Sequence, residues 1–351
     1  MQTNRLNWVD YIKATAIYCV ILLHIGIHEP YREIINIFVI PTFFFLSGVF
    51  SRPERYKNYF DFFRQKGIRI LIPYFFFNSV TYLFWLLIGR HYGLDNGLEI
   101  HPLVPLKGIF IGTSQFMLHN VPLWFLACLF SVESIFYLIF KKTTSIERYF
   151  VKIIPLIVIG YLIYRFNTHS LAWGIDIAFS MIVFYSSGHF LREKLLKKDI
   201  NILHQIGLLL VASLLIFIVY KLNDDVKVFA NYYGNYLYFL IGAFSGIVFC
   251  VSFFKLIDVV FKPINFLLFT GKSTLIILAL HLIASSFLKA IMVYVLKIDY
   301  ALYQNNTFYT LAFGIMCIVV LVPVIHFINK FLPFVVGKKN TTKHIFKSVD
   351  Y

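Results

Sequence analysis

WVDYIKATAIYCVILLHIGIH, residues 8–28, is apolar over most of its length and matches the roughly 20 residues that a helix needs to cross the hydrocarbon layer of a membrane. Three ionisable side chains interrupt it: Asp10 and Lys13 near its start and His24 near its end. A plain anchor has no use for such groups, because a charge inside a bilayer is costly and is kept where it lines a pathway or a site. Asp10, Lys13, Ile17, Ile21 and His24 follow one another in steps of three or four, so they share one helix face. With a rise of 1.5 Å per residue, Asp10 and His24 lie about 21 Å apart, at opposite ends of that face. No small-residue cleavage site of the A-x-A kind follows, so the run reads as a retained first helix and not as a signal peptide.

The rest of the chain repeats the pattern. Its 351 residues are 59% hydrophobic, 19% aromatic and only 14% charged, with a mean hydropathy of +0.76, whereas soluble domains are about half apolar and a quarter charged. Apolar runs recur near residues 8–28, 34–51, 68–89, 122–140, 151–166, 172–191, 203–221, 233–254, 272–296 and 308–330. Backbone polar groups find no partner in hydrocarbon except within their own segment, so each run must be a helix. The expected fold is all-α: a polytopic integral membrane protein of about ten transmembrane helices. Residues 1–351 form one domain, because no long polar linker divides them. The fifth and sixth runs are the least regular, being short or broken by Asp176.

Charge orients the helices. With ten spans, Arg5, Lys13 and the segments 52–69, 141–152, 192–198, 255–272 and 330–347 fall on one side and hold 24 of the 32 Lys and Arg residues. The positive-inside rule makes that side, and both termini, cytoplasmic. It also accounts for the net charge of +15 without nucleic acid. The cytoplasmic loop 52–69 mixes aromatic with basic residues and suits a helix lying in the interface. The outer loop 90–121, with His101 and His119, is placed to cover an outward-facing cavity, and a short cytoplasmic tail, 337–351, ends the chain. Cys19, Cys128, Cys250 and Cys317 sit in separate apolar runs with no CxxC spacing and read as buried apolar residues.

Several intramembrane groups can carry chemistry. The neutral imidazole of His24 can accept a proton near neutral pH, as a general base must when it activates a hydroxyl for attack on an ester or thioester. A histidine hydrogen-bonded between helices is the plainer reading. His28 lies one turn on, but only Glu29 is near enough to extend the pair, so no metal site is expected. By helical rise Glu133 lies about 16 Å deep from the outside and His281 about 14 Å deep from the inside, both near mid-membrane. An unpaired carboxylate is strongly disfavoured there, so Glu133 is expected to find a cation or to stay protonated, with His24 and His281 as candidate partners. Arg64, Lys66 and Arg69 either satisfy topology alone or clamp phosphates at the mouth of a cavity.

Taken together, the motifs resemble the acyltransferase family 3 membrane proteins, in particular the fucose 4-O-acetylase-like branch of surface-polysaccharide O-acetyltransferases. The matching pieces are R-x-x-W-V-D-Y-I-K-A over 5–14 with His24, P-T-F-F-F-L-S-G over 41–48, K-x-x-R-I-L-I-P-Y over 66–74, P-L-W-F-L over 122–126 and G-K-S-T-L-I-I-L-A-L-H over 271–281. Lys66 and Lys13 stand where Arg is usual. The resemblance implies a ten-helix, multi-pass enzyme of the bacterial cytoplasmic (inner) membrane. Such an enzyme moves an acyl group, most simply acetyl, from cytoplasmic acyl-CoA to a hydroxyl of a cell-surface polysaccharide or its lipid-linked precursor. It equates His24 with the family's essential histidine, and Lys66 and Arg69 with its donor-binding motif. Arg64, Lys13 and Asp10 would share that mouth, Glu133 and His281 would support the reaction, and Trp124 would pack near the substrate. Acyl-CoA is then the donor substrate, with no metal; the partners are the glycan and membrane lipid, not nucleic acid, and homo-oligomerisation is left open. An exporter or flippase of polysaccharide intermediates is the alternative from another class.

Overall fold

Among the described residues, ten helices long and apolar enough to cross a membrane arise in the order the hydropathy expects. The computed structural model describes residues 6–92, 97, 99–197, 200–298 and 306–338; Arg5 and all but the start of the 337–351 tail lie outside them. The chain runs through α1 (Asn7–Ile25), α2 (Tyr31–Val49) and α3 (Tyr59–Phe84), which continues through a π-turn at Trp85–Gly89 to Tyr92. After a short α4 (Leu103–Ile111) come α5 (Trp124–Phe140), α6 (Ile146–Phe166), α7 (Ile175–Leu195) and α8 (Ile202–Leu222). Then follow α9 (Tyr236–Val260), a short α10 (Asn265–Lys272), α11 (Thr274–Ala290) and α12 (Thr307–Phe331). Among the described residues no strand forms; Lys227 and Tyr232 make one isolated bridge.

Side chains that accept hydrogen bonds mark where helices begin. Asn58, Ser145, Asn201, Asn235 and Asn306 each cap the first turn of the helix that follows, satisfying N–H groups that have no partner within the helix. Gly26 stops α1 by taking φ +91°, with its N–H turned back to the Leu22 carbonyl.

α1 is the axis of the bundle: it touches α2, α9, α10, α11 and α12. Its first turn is held by α9, where Asp258 accepts from the Asn7 amide at 2.9 Å and the Trp8 N–H at 3.3 Å. Around this axis α2 packs on α7 and α9, α5 on α3 and α7, and α11 on α3 and α12. α8 and α6 lie outermost, with only 11% and 22% of their spans buried. Their apolar residues on all faces suit contact with lipid.

Two close approaches explain glycines in the motifs. A Cβ on Gly48 would stand 1.8 Å from the Tyr185 carbonyl oxygen, so α2 and α7 cross with backbones in contact. Gly271 presses α10 onto the Asp10 carbonyl in the same way.

Two expectations need correcting. Residues 52–69 do not form a separate interfacial helix. After a single 3-10 turn at Pro53–Arg55, α3 is capped by Asn58, starts at Tyr59 and runs unbroken into the span, with no proline before Pro73. Asp176 does not break the sixth span either: it lies in the first turn of α7, where the helix dipole favours a carboxylate. The side of α1's start and α12's end, where the basic segments gather, is called the basic side below, and the opposite one the far side.

Candidate active site

One face of α1 forms a wall of a cavity of about 300 Å³: Lys13, Ile17, Val20 and His24 line it from the basic end upward. Ile40, Phe43, Leu46 and Ser47 of α2, with Phe50 just past its end, close a second side. Pro122, Trp124, Phe125 and Leu126 at the start of α5, with Thr274, Leu275 and Leu278 of α11, complete it. Lys13 and His24 are 11 residues apart, about 16 Å of helix, so the cavity reaches from the basic end to the far half of the bundle. Most of its wall is apolar, with a cation at one end and an imidazole at the other.

His24 is open to this cavity. Its Nδ1 lies 2.7 Å from the Val20 carbonyl oxygen. A carbonyl can only accept, so Nδ1 carries the proton and Nε2 keeps its lone pair. His281 on α11 is built alike: fully buried, with Nδ1 at 3.0 Å and 2.9 Å from the Ile277 and Leu278 carbonyls and Nε2 without a partner among the described residues. The two rings, from helices far apart in sequence, meet edge to face with centroids 5.0 Å apart.

Glu133 is not part of that pair. Both its carboxylate oxygens lie close to Lys66 Nζ, at 2.9 Å and 2.8 Å, in an ion pair almost closed to solvent. The carboxylate thus has the cation it needs, but that cation is Lys66 and not the candidate partners His24 or His281. The reason is geometric: Lys66 lies seven residues above the start of α3 and Glu133 seven residues before the end of α5, so both stand about 10 Å in from the basic ends of adjacent helices. Tyr185 of α7 faces the same carboxylate.

The remaining predicted groups are scattered. Lys13 lines the cavity mouth and rests over the Phe50 ring at 5.5 Å. Trp124 is in the cavity wall and 5% exposed. Arg64 and Arg69 lie exposed on α3, with Gly337 folded onto Arg69, and Asp10 is buried against Gly271. None of these three, nor Lys66, is among the residues that line the cavity. His28 is half-buried, and His101 Nδ1 accepts from the Leu103 N–H at the start of α4. Among the described residues no group of three His, Cys, Asp or Glu is placed to hold a metal.

Four polar residues not singled out above as site candidates join α3, the far-side loop and α11. Asn78 meets His119 at 3.0 Å, and Asn120 reaches Thr81 and the Ala279 carbonyl. Burial pushes the His119 imidazole down to about 4, so it is neutral at ordinary pH. An Asn within the third apolar run is the signal that marks this cluster in the sequence, since a polar side chain there must find a partner.

The fold and the cavity define a multi-pass membrane protein that encloses a pair of imidazoles between its helices. A family model described as an acyltransferase domain matches residues 6–327, nearly the whole chain, and the chain belongs to that family, acyltransferase family 3. It is a membrane acyltransferase. No curated protein and no solved structure matches the chain.

Proposed function

We propose that the protein is an O-acetyltransferase that passes an acetyl group from acetyl-CoA, supplied on the cytoplasmic side, to a hydroxyl of a surface polysaccharide or its lipid-linked precursor. The observation that carries the reading is His24 at the far end of an apolar cavity whose other end holds Lys13, with the buried His281 ring packed edge to face behind it. A linear pantetheine arm fits such a passage, with the CoA phosphates left on the basic side near Lys13, Arg64 and Arg69. Lys66 then serves by neutralising Glu133 and takes no phosphate.

In this mechanism Nε2 of His24 takes the proton of the glycan hydroxyl as its oxygen forms the new C–O bond to the thioester carbonyl. Collapse of the tetrahedral intermediate breaks the C–S bond, and the departing CoA thiolate recovers the proton from His24. Two imidazoles that each keep a bare Nε2 cannot hydrogen-bond to one another. The proton that His24 takes from the hydroxyl turns its Nε2 into a donor, which Nε2 of the neighbouring His281 can accept, steadying the imidazolium that forms. The apolar wall keeps out water that would hydrolyse the thioester.

His24→Ala, purified in detergent and shown to keep the wild-type melting profile, should lose acetyl transfer by roughly 10²- to 10⁴-fold, the usual contribution of a general base. Transfer at the wild-type rate would sink the assignment, and glycan movement without use of acetyl-CoA would point to export.

A further inference from the structure

The far-side loop between α4 and α5 is a folded piece. The N–H groups of Phe116 and Met117 return to the Thr113 carbonyl, Asn120 N–H to Met117 and Leu123 N–H to Asn120, at 3.0–3.2 Å. It is also fastened to the helices around it. The Asn78 amide nitrogen already donates to the Tyr74 carbonyl at 2.9 Å, so its oxygen faces His119 and Nε2 of that imidazole donates to it at 3.0 Å. Tyr82 meets the same ring edge to face at 5.8 Å.

Asn120, 1% exposed, makes the second attachment. Its amide nitrogen donates to the Thr81 hydroxyl of α3 at 3.2 Å and to the Ala279 carbonyl of α11 at 2.8 Å. Those two bonds use the whole donor capacity of a carboxamide. Ala279 is two residues before His281, and the preceding carbonyls, of Ile277 and Leu278, hold His281 Nδ1. Three successive carbonyls of one α11 turn are therefore engaged by side chains: two of them aim the imidazole, and the third ties the turn to the loop. Apolar packing resists separation of helices more than small rotations about their axes, whereas a directional bond at one carbonyl sets the rotation.

We propose that Asn120 is a positioning residue: by holding the Ala279 carbonyl from the far-side loop, it sets the rotation of α11 and so the placement of His281 against His24. The proposal rests on the reading of that pair as the reaction centre. A displacement of about 1 Å at a reacting group can cost on the order of 10²-fold in rate.

The test uses Asn120→Ala, and Asn120→Asp, which keeps the size but offers no N–H. Each should lower kcat for acetyl transfer by about 10- to 100-fold. KM for acetyl-CoA should be unchanged, since the donor end of the cavity lies about 16 Å from His24. In a double-variant cycle, Asn120→Ala added to His281→Ala should cost nothing further, because the amide acts through the imidazole. A full multiplicative loss in the double variant, or a change confined to KM, would overturn the proposal. Histidine-selective ¹⁵N NMR of the full chain in detergent supplies a readout independent of turnover: the His281 signals should shift in Asn120→Asp, and unshifted signals would overturn the proposal. If His281→Ala proves fully active, the reaction-centre reading fails, while the NMR result still decides what Asn120 does. Should Asn120→Ala not fold, Asn120→Gln, whose donors sit one methylene further out, carries the same measurements.

Discussion

The ion pair of Lys66 and Glu133 separates two roles that resemble each other in the sequence, binding a substrate and balancing a buried charge. Side-chain exposures of 14% and 5% leave little water to screen either partner. Removing one partner strands the other, at a cost of about 3–5 kcal/mol, while replacing both with apolar residues of similar volume is often nearly neutral. Glu133→Gln and Lys66→Met should therefore each lower the melting temperature in detergent well below that of the double variant Lys66→Met/Glu133→Leu, which should fold and keep acetyl transfer. A stable but inactive double variant would return Glu133 or Lys66 to the chemistry. This pairing was not legible in the sequence, for a physical reason. Depth along one helix follows from its rise, but which helix lies beside it does not, and Lys66 joins Glu133 only because α3 extends past the interface as one helix. His24 was legible because its three- and four-residue steps from Lys13 put both on one face. Its meeting with His281 needed the packing of α11 on α1. Asn120 stayed hidden because its partner on α11 is a main-chain carbonyl, and every residue has one of those.

At the scale of elements, hydropathy was enough to find all ten spans, since burial in lipid demands the same long apolar run whatever the neighbours. α10 escaped it, because an eight-residue helix is set by packing on α1 rather than by solvent. The contact of α2 with α7 carries the consequence for the site. α2 brings Phe43, Leu46 and Ser47 to the cavity, and α7 brings Tyr185 to Glu133. At Gly48 the obstacle to a side chain is the Tyr185 carbonyl, a backbone atom that cannot swing aside. Gly48→Ala should push the helices apart, costing about 1–3 kcal/mol or more by overpacking, and acetyl transfer should fall with it. Gly67→Ala is the matched control on α3, where the nearest atom is a Leu71 methyl at 3.7 Å. Thermal melts of the two variants should differ clearly, and equal melts would show that the crossing can relax at no cost.

At the scale of the whole molecule, the ten candidate spans among the described residues are an even number, and if each crosses the membrane the start of α1 and the end of α12 share a face. Which face that is depends on charge, because Lys and Arg in short loops resist translocation. The proposed reaction needs the same orientation. Acyl-CoA belongs to the cytoplasm, so Lys13 must open there, and the imidazoles must then lie toward the outside, where Asn120 and its loop stand. The native cysteines make this testable, since Cys128 and Cys317 are buried, Cys19 and Cys250 partly so, and all four lie within spans. A membrane-impermeant maleimide should find little to label in the unmodified protein. Lys57→Cys places a thiol at an exposed position on the basic side, and His169→Cys does so on the far side, between α6 and α7. In intact cells or right-side-out vesicles the reagent should label His169→Cys and leave Lys57→Cys untouched, and in inverted vesicles the pattern should reverse. Labelling of Lys57→Cys from outside would turn the molecule over, remove the donor end of the cavity from acyl-CoA, and overturn the direction of transfer along with the topology.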